Sequence, residues 1–176
     1  MLISVFSLTS FAEKPPRLVD GAYLLTDAEA ERVTALLDRI SVDNDFDVVI
    51  VTVSDTGFED IVDFADDYYD YNYYGEDGLM LLVDMGGRDW WITTDGKGIS
   101  AFTDKGIQNV GDAVAEYLSD DEYYNAFDLF ADLAEEYIDV YETTGRPMEN
   151  QKNYFTYQRC RNVCNASHSL RKQRYS

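Results

Sequence analysis

Two short, almost entirely apolar segments constrain the fold of this chain most strongly. Residues 46–53 read FDVVIVTV and residues 79–83 read LMLLV. Continuous apolar runs of this length, rich in β-branched and aliphatic residues, are typical of strands buried on both faces. The segment 58–71 between them has helical spacing of its apolar residues, Ile61, Phe64, Ala65 and Tyr68. A strand, a helix and a second strand in this order predict a crossover that joins two parallel strands.

Turn and capping signals extend this unit in both directions. Thr26 and Glu29 form a capping-box pattern, and the turn sequence MGGR at 85–88 predicts a hairpin into an antiparallel strand. The predicted elements are a helix over 27–41, strand 46–53, helix 58–71, strand 79–83, strand 90–94, a helix capped by Thr103-Asp104, and a helix over 120–143. The chain is therefore predicted to be an α/β protein, a three-layer α/β/α sandwich with a small mixed β-sheet and the order α-β-α-β-β-α-α.

The charge of the chain is strongly acidic and unevenly distributed. There are 34 acidic and 14 basic residues, which give a net charge of −20, yet residues 149–176 contain six bases and the single acid Glu149. A surface with this excess of carboxylates repels a phosphate backbone, so we expect no nucleic-acid partner. The one histidine and both cysteines lie within 160–168. Residues 1–148 therefore cannot hold a Cys/His zinc site or a catalytic triad built on imidazole or thiol.

The two ends of the chain differ from its centre. The apolar run at 2–8, followed by Ser10-Phe11-Ala12, matches the rear half of a signal peptide with small residues before the cleavage point. We expect export; the alternative is a disordered or strand-like terminus of an intracellular protein. Residues 1–17 are thus predicted to be a partial signal peptide and linker, residues 18–146 a folded domain, and residues 147–176 a basic, disordered tail. No run reaches the roughly 18 apolar residues of a transmembrane helix, so a membrane anchor would belong to a longer parent protein.

Five acidic residues are candidates for a divalent-cation site. In the predicted topology the end of strand 90–94 lies beside the start of strand 79–83, and the neighbouring helix ends face the same pole of the sheet. The acidic residues expected there are Asp70, Glu76, Asp77, Asp95 and Asp104, with Asp43 and Asp45 nearby. Loops with several carboxylates between glycines suit the six to eight oxygen ligands of Ca²⁺. The alternative is ordinary turn and helix-terminus chemistry on a solvated surface.

Several segments of the chain, taken in order, are similar to those of a known family. They are Leu18-Val19-Asp20 with Leu24-Leu25-Thr26, the strand 48–53, DGLMLLV at 77–83, Gly96-Lys97-Gly98-Ile99, and Thr103-Asp104. With this pattern the chain resembles the TPM domain family, which includes the thylakoid-lumen photosystem II repair phosphatase and many exported or membrane-anchored bacterial proteins. The resemblance implies an exported α/β/α domain, binding of Ca²⁺ or Mg²⁺ by acidic loops, and acid-phosphatase activity in some members. Asp77 and Asp104 match the family's D-G and T-D positions, and Asp70 matches an acidic position at the end of its second helix.

Two functions of different class follow from these observations. The first is an exported, non-enzymatic domain that binds a divalent cation, with Ca²⁺ favoured, and supports or interacts with a cell-envelope protein. The alternative is a metal-dependent acid phosphatase, in which a cation held by Asp77 or Asp104 polarises a phosphoryl oxygen or activates water. We favour the first, because only Lys97 and Lys105 lie near this pole in the sequence, and an acidic pole repels a phosphoester until cations bind.

Overall fold

The computed structural model describes residues 15–148, which form four strands and five helices. The elements are β1 (Leu18–Asp20), α1 (Asp27–Asn44), β2 (Asp47–Val53), α2 (Ile61–Tyr71), β3 (Gly78–Asp84), β4 (Asp89–Asp95), α3 (Lys97–Ala101), α4 (Asp104–Ser119) and α5 (Tyr123–Thr144). The signal-peptide pattern before residue 13 and the basic segment after residue 148 lie outside the described residues.

The strands form one mixed sheet in the order β1-β2-β3-β4. β1 and β2 are parallel, β2 and β3 are parallel over their full seven residues, and β4 returns antiparallel to β3. The predicted strand–helix–strand crossover and the predicted hairpin are therefore both confirmed. β2 and β3 occupy the centre of the sheet, where four of the seven residues of β2 are apolar and fully buried.

The two faces of the sheet bury separate sets of side chains. Val49 and Val51 of β2, with Met80 and Leu82 of β3, pack on α2 through Ala65 and Tyr69. The alternate residues of the same strands face the larger layer of α1, α4 and α5, where the buried aromatic residues are Phe46, Phe102, Phe127, Phe130 and Tyr137. Because successive side chains of a strand point to opposite faces of the sheet, the apolar residues of β2 and β3 are divided between two cores. The three-layer α/β/α architecture is confirmed.

Local capping signals set most of the helix starts. The N–H of Thr26 donates to the Glu29 carboxylate at 2.9 Å, as the capping box requires, and the Thr103 hydroxyl accepts from the N–H of Gly106 at 3.2 Å. Asp60 caps α2, so this helix begins three residues later than the spacing of 58–71 predicted. α5 likewise begins at Tyr123 rather than 120, because Asp121 lies in the left-handed region with φ 58°.

Two elements correct the predicted order. β1 has three residues and joins the sheet beside Ile50, Val51 and Thr52, and α3 is a single turn that follows Gly96. Three and five residues are too few for either a period of two or a period of 3.6 to be recognisable in sequence. The order observed for residues 15–148 is therefore β-α-β-α-β-β-α-α-α. In this region no helix combines the length and the apolar character needed to cross a bilayer.

The indole ring of Trp90 on β4 packs against α4. It lies on the face of β4 that looks toward the larger helical layer, where it is half-buried, while Trp91 points to the α2 side and is 38% exposed. A Cβ at Gly111 would overlap the six-membered ring of the Trp90 indole. Gly111 therefore provides the space into which this indole packs, at the middle of a helix where glycine is otherwise unfavourable.

Substituting Gly111→Ala tests this packing. An alanine in a helix normally adds up to about 1 kcal/mol of stability, but here we expect a loss of about 1–3 kcal/mol, because the methyl group displaces the indole. Urea unfolding measures the difference. Trp90→Leu removes the overlap, so the double variant should lose clearly less than the sum of the two single variants; simple additivity would contradict the contact.

Candidate functional site

One pole of the sheet brings three acidic segments together. Asp47 at the start of β2, Gly78 at the start of β3 and Asp95 at the end of β4 are neighbours in one row of the sheet. Gly96, which follows, has φ 53°, and a Cβ there would collide with the carbonyl of Glu76. The turn after β4 therefore packs directly against the loop that leads into β3. We call this end of the sheet, with Asp45, Asp47, Glu76, Asp77 and Asp95, the acidic rim.

A cleft of about 490 Å³ opens at the acidic rim, and a buried ion pair lies in its wall. The side chain of Asp47 is only 6% exposed; its Oδ1 accepts hydrogen bonds from Nε and Nη2 of Arg17 at 3.2 and 3.0 Å. Its Oδ2 accepts from the N–H of Gly75. Arg17 also donates from Nη1 to Asp38 at 2.8 Å. The buried charge is thus neutralised and hydrogen-bonded, as a buried carboxylate must be.

The second cation of the pole is Lys97. Oδ1 of Asp77 accepts from the backbone N–H of Lys97 at 2.7 Å, and Oδ2 lies 3.3 Å from its ammonium group. The same ammonium group lies 3.6 Å from Oε1 of Glu142 near the end of α5. Hydrogen bonding and attraction to Asp77 raise the pKa of Lys97 above its usual value. A lysine ammonium therefore already occupies the position beside Asp77 that a bound cation would take.

The buried phenol of Tyr69 on α2 lies within the influence of the carboxylates at this pole. The phenol is 3% exposed and donates a hydrogen bond to the carbonyl of Gly75 at 2.9 Å. Burial raises the pKa of Tyr69, and the carboxylates of Asp47, Asp95 and Asp77 raise it further. These three carboxylates therefore all act on one buried group, which places their charges around the same point.

The five predicted ligands are distributed unevenly. Glu76, Asp77 and Asp95 lie in the acidic rim around Gly96. Asp70 is exposed in the last turn of α2, and Asp104 is exposed in the first turn of α4, after the unpredicted helix α3. Within residues 15–148, no three or more carboxylate, imidazole or thiol groups are arranged so as to hold a metal ion. As arranged, the side chains do not form a ready Ca²⁺ or Mg²⁺ site, and the cation site stays a prediction.

Sequence reasoning missed the two residues that are most firmly held at the pole. Asp47 stands at the front of an apolar strand, and Arg17 comes just before the short strand β1. A charged residue that directly adjoins a strand buried on both faces must be neutralised locally, so the position of Asp47 was a usable signal. Its partner, 30 residues away in the chain, could not be identified without the parallel pairing of β1 and β2.

At the opposite pole two acidic side chains accept hydrogen bonds from the backbone of nearby loops. Asp20 accepts from the N–H groups of Leu24 and Leu25 at 3.1 and 2.9 Å, and Asp84 accepts from the N–H of Gly86 at 2.9 Å and the hydroxyl of Thr56 at 3.0 Å. Burial alone would raise the pKa of Asp84, but the N–H groups of Gly87 and Gly86 and the Thr56 hydroxyl hold it below its usual value of 3.8. These carboxylates organise loops and are not available to a ligand.

The Asp47–Arg17 pair predicts a contrast between two acids that bind the same guanidinium. Asp47→Ala leaves buried Arg17 and the Gly75 N–H without their partner, so we expect a loss of roughly 2–4 kcal/mol in the free energy of unfolding. Asp38→Ala removes the half-exposed partner and should cost less than about 1 kcal/mol. Denaturant unfolding of both variants measures the contrast, and equal losses would contradict the assignment.

Asp84 predicts a contribution to acid sensitivity. Its pKa is lowered in the folded state, so the stability it contributes is full above the unfolded-state pKa and is lost as the pH falls through the folded-state pKa. Asp84→Asn should therefore flatten the fall in unfolding free energy between about pH 5 and about pH 2. Asp63→Asn, at an exposed position on α2, is the control and should change this fall less than Asp84→Asn does.

Comparison with known proteins places this architecture in a family. The UPF0603 protein YdjH of Bacillus subtilis (strain 168) is 27% identical over 146 residues, which cover 82% of this chain and 54% of that protein; the chain thus spans about half the length of this relative. The N-terminal domain of a protein from P. gingivalis superposes with a TM-score of 0.63 at 15% identity, covering 78% of this chain and 90% of that domain.

A second solved structure agrees with the first. The N-terminal domain of protein cg2496 from Corynebacterium glutamicum has a TM-score of 0.59 at 13% identity, covering 85% of this chain and 96% of that domain. At these identities the two structures establish the fold alone. The sequence itself matches the TPM domain over residues 18–137, from β1 into α5. This match spans all four strands and the three segments of the acidic rim. The chain therefore belongs to the TPM domain family.

Proposed function

We propose that this TPM domain is an exported, non-catalytic interaction module of the cell envelope whose acidic rim binds a divalent cation, with Ca²⁺ preferred. The observation that carries the proposal is the Asp77–Lys97 ion pair beside a cleft lined by Asp45, Asp47 and Glu76. Export is supported by the signal-peptide pattern, which lies before the described residues.

Ca²⁺ suits this pole better than a smaller ion. It takes six to eight oxygen ligands in flexible geometry, whereas Mg²⁺ requires near-ideal octahedral geometry and keeps several of its waters. The available ligands are exposed carboxylates on loops, such as those of Asp45 and Glu76. Because Lys97 is exposed and held only by carboxylates, its ammonium group can leave Asp77 to a doubly charged ion at small structural cost.

Both basic side chains at this pole are already ion-paired, which favours a non-catalytic role over phosphoester hydrolysis. Arg17 is bound to Asp38 and Asp47, and Lys97 is bound to Asp77 and Glu142. Neither is free to clamp a phosphoryl group, and the surrounding carboxylates repel one. The same potential favours a basic surface on an envelope partner, either directly or bridged by the cation.

Calorimetric titration of the metal-stripped chain with Ca²⁺ and with Mg²⁺ tests the proposal. Wild type should show saturable Ca²⁺ binding, which Glu76→Gln/Asp77→Asn should abolish. Lys97→Met should tighten the binding by roughly two- to fivefold, the range expected when one exposed opposing charge is removed. Asp63→Asn/Asp67→Asn removes two exposed carboxylates from the outer surface of α2 and serves as the charge-matched control.

Either of two results would contradict the proposal. Weak heats that never saturate in wild type would mean that the acidic rim is a solvated surface without a specific site. Metal-dependent hydrolysis of a phosphomonoester that is lost in Asp104→Ala, with wild-type folding retained, would assign the alternative function of a phosphatase.

A further inference from the structure

The described sheet has one long unpaired edge. β4 is the last strand in the order β1-β2-β3-β4, and all seven of its residues pair with β3 on one side only. Alternate N–H and C=O groups of such a strand point away from the sheet and can pair with another chain segment. β1, at the other edge, has only three residues. β4 is therefore the place where an added strand would gain most backbone hydrogen bonds.

The edge has an apolar centre between two acidic ends. Trp91, 38% exposed, lies in the middle, and Asp89 and Asp95 end the strand. Asp66 of α2 binds the hydroxyl of Thr93 and adds a third carboxylate. An antiparallel second copy of β4 would place Asp89 against Asp95 at each end, which is destabilising. The edge thus favours an extended occupant with apolar residues between cationic ends.

The chain itself contains a segment of this kind outside the described residues. Residues 152–159 read KNYFTYQR, in which Lys152 and Arg159 enclose a centre of Tyr, Phe and Thr. Aromatic and β-branched residues are the ones that favour a strand. The whole of 149–176 carries six bases and one acid, against the acidic excess of residues 1–148. In charge and in pattern the segment 152–159 complements the edge of β4.

The end of α5 makes this edge accessible to the segment. Glu142 lies 3.6 Å from the ammonium group of Lys97, and Lys97 follows Asp95 by two residues. This contact brings the last turns of α5 near the turn that follows β4. The three residues 149–151, which follow the last described residue, can span up to about 10 Å, and the segment can then run back along β4 from Asp95 towards Asp89.

We propose that residues 152–159 dock in an extended conformation along the outer edge of β4, antiparallel to it, with Arg159 opposite Asp89, Tyr157 opposite Trp91, and Lys152 one residue beyond Asp95. The docked segment pairs with the backbone of the edge and covers Trp91. This is strand addition within one chain, and it removes an edge that would otherwise be open to aggregation. It does not depend on cation binding at the acidic rim.

The two native cysteines allow a direct test in the full chain. Both lie in the basic segment, so Cys164→Ser leaves Cys160, next to Arg159, as the only thiol for a nitroxide label. We expect the label to broaden the amide resonances of Asp89, Trp90 and Trp91 most strongly, and those of β1 at the far edge least. Broadening spread evenly over the domain, or none in β4, would overturn the proposal.

Charge reversal separates docking from general attraction. Lys152→Glu/Arg159→Glu should remove the broadening in β4, while Arg171→Glu/Lys172→Glu, which reverses the same charge outside the docked segment, should retain it. Equal loss in both variants would mean diffuse attraction to an acidic domain and would overturn the proposal. A mixture of isotope-labelled chains without nitroxide and unlabelled chains with nitroxide should show no broadening; broadening there would assign the edge to a second copy.

Hydrogen exchange tests the backbone pairing itself. An amide that enters an ordered strand exchanges only after local opening, so the outward-facing amides of β4 should exchange roughly tenfold faster in Phe155→Pro, where the segment cannot complete its pairing. The amides of β2 in the centre of the sheet serve as the internal control and should not change. Unaltered exchange in β4 would contradict strand addition.

Discussion

The structure depends on the burial of the parallel pair β2–β3 on both of its faces. Four apolar residues of β2 and five of β3 are almost wholly removed from water, which requires a helical layer on each side of the sheet. α2 alone supplies one layer, while α1, α4 and α5 supply the other. Because the buried side chains of the central strands are almost all apolar, the charges of this acidic protein collect on the helix surfaces and at the two poles.

The acidic side chains at the two poles are bound in different ways. Asp20 and Asp84 are bound by backbone N–H groups and hydroxyls, so they hold loops in place and need no counter-charge. At the acidic rim, Asp47 and Asp77 each accept from one backbone N–H but are also bound by a cation, Arg17 and Lys97 respectively. A carboxylate bound by a cation can exchange it for another cation, whereas one bound by the backbone can do so only if its loop unfolds. This difference makes the acidic rim the functional candidate.

Much of the fold could be predicted because its signals are local. The capping residues Thr26 and Thr103 lie within three residues of the groups that they bind, and each central strand is an almost continuous apolar run. β1 and α3 could not be predicted, because each is too short for periodicity and is stabilised by its contacts with the sheet. The five predicted ligands were chosen from the predicted topology, and three of them do lie around Gly96. The topology could not show that the ammonium group of Lys97 already binds the carboxylate of Asp77.

The sequence by itself determined the α/β class, the parallel crossover, the hairpin, the acidic character and the family resemblance, since these follow from residue types and spacings along the chain. Only the tertiary structure decided how the charges are paired. Arg17 meets Asp47 from 30 residues away, and Lys97 joins the loop before β3 to the end of α5. Such pairs form between segments that only the folded sheet brings together, so their free energy depends on distances that the order of residues does not contain. The same holds for the edge of β4, whose lack of a neighbour among residues 15–148 is a property of the assembled sheet.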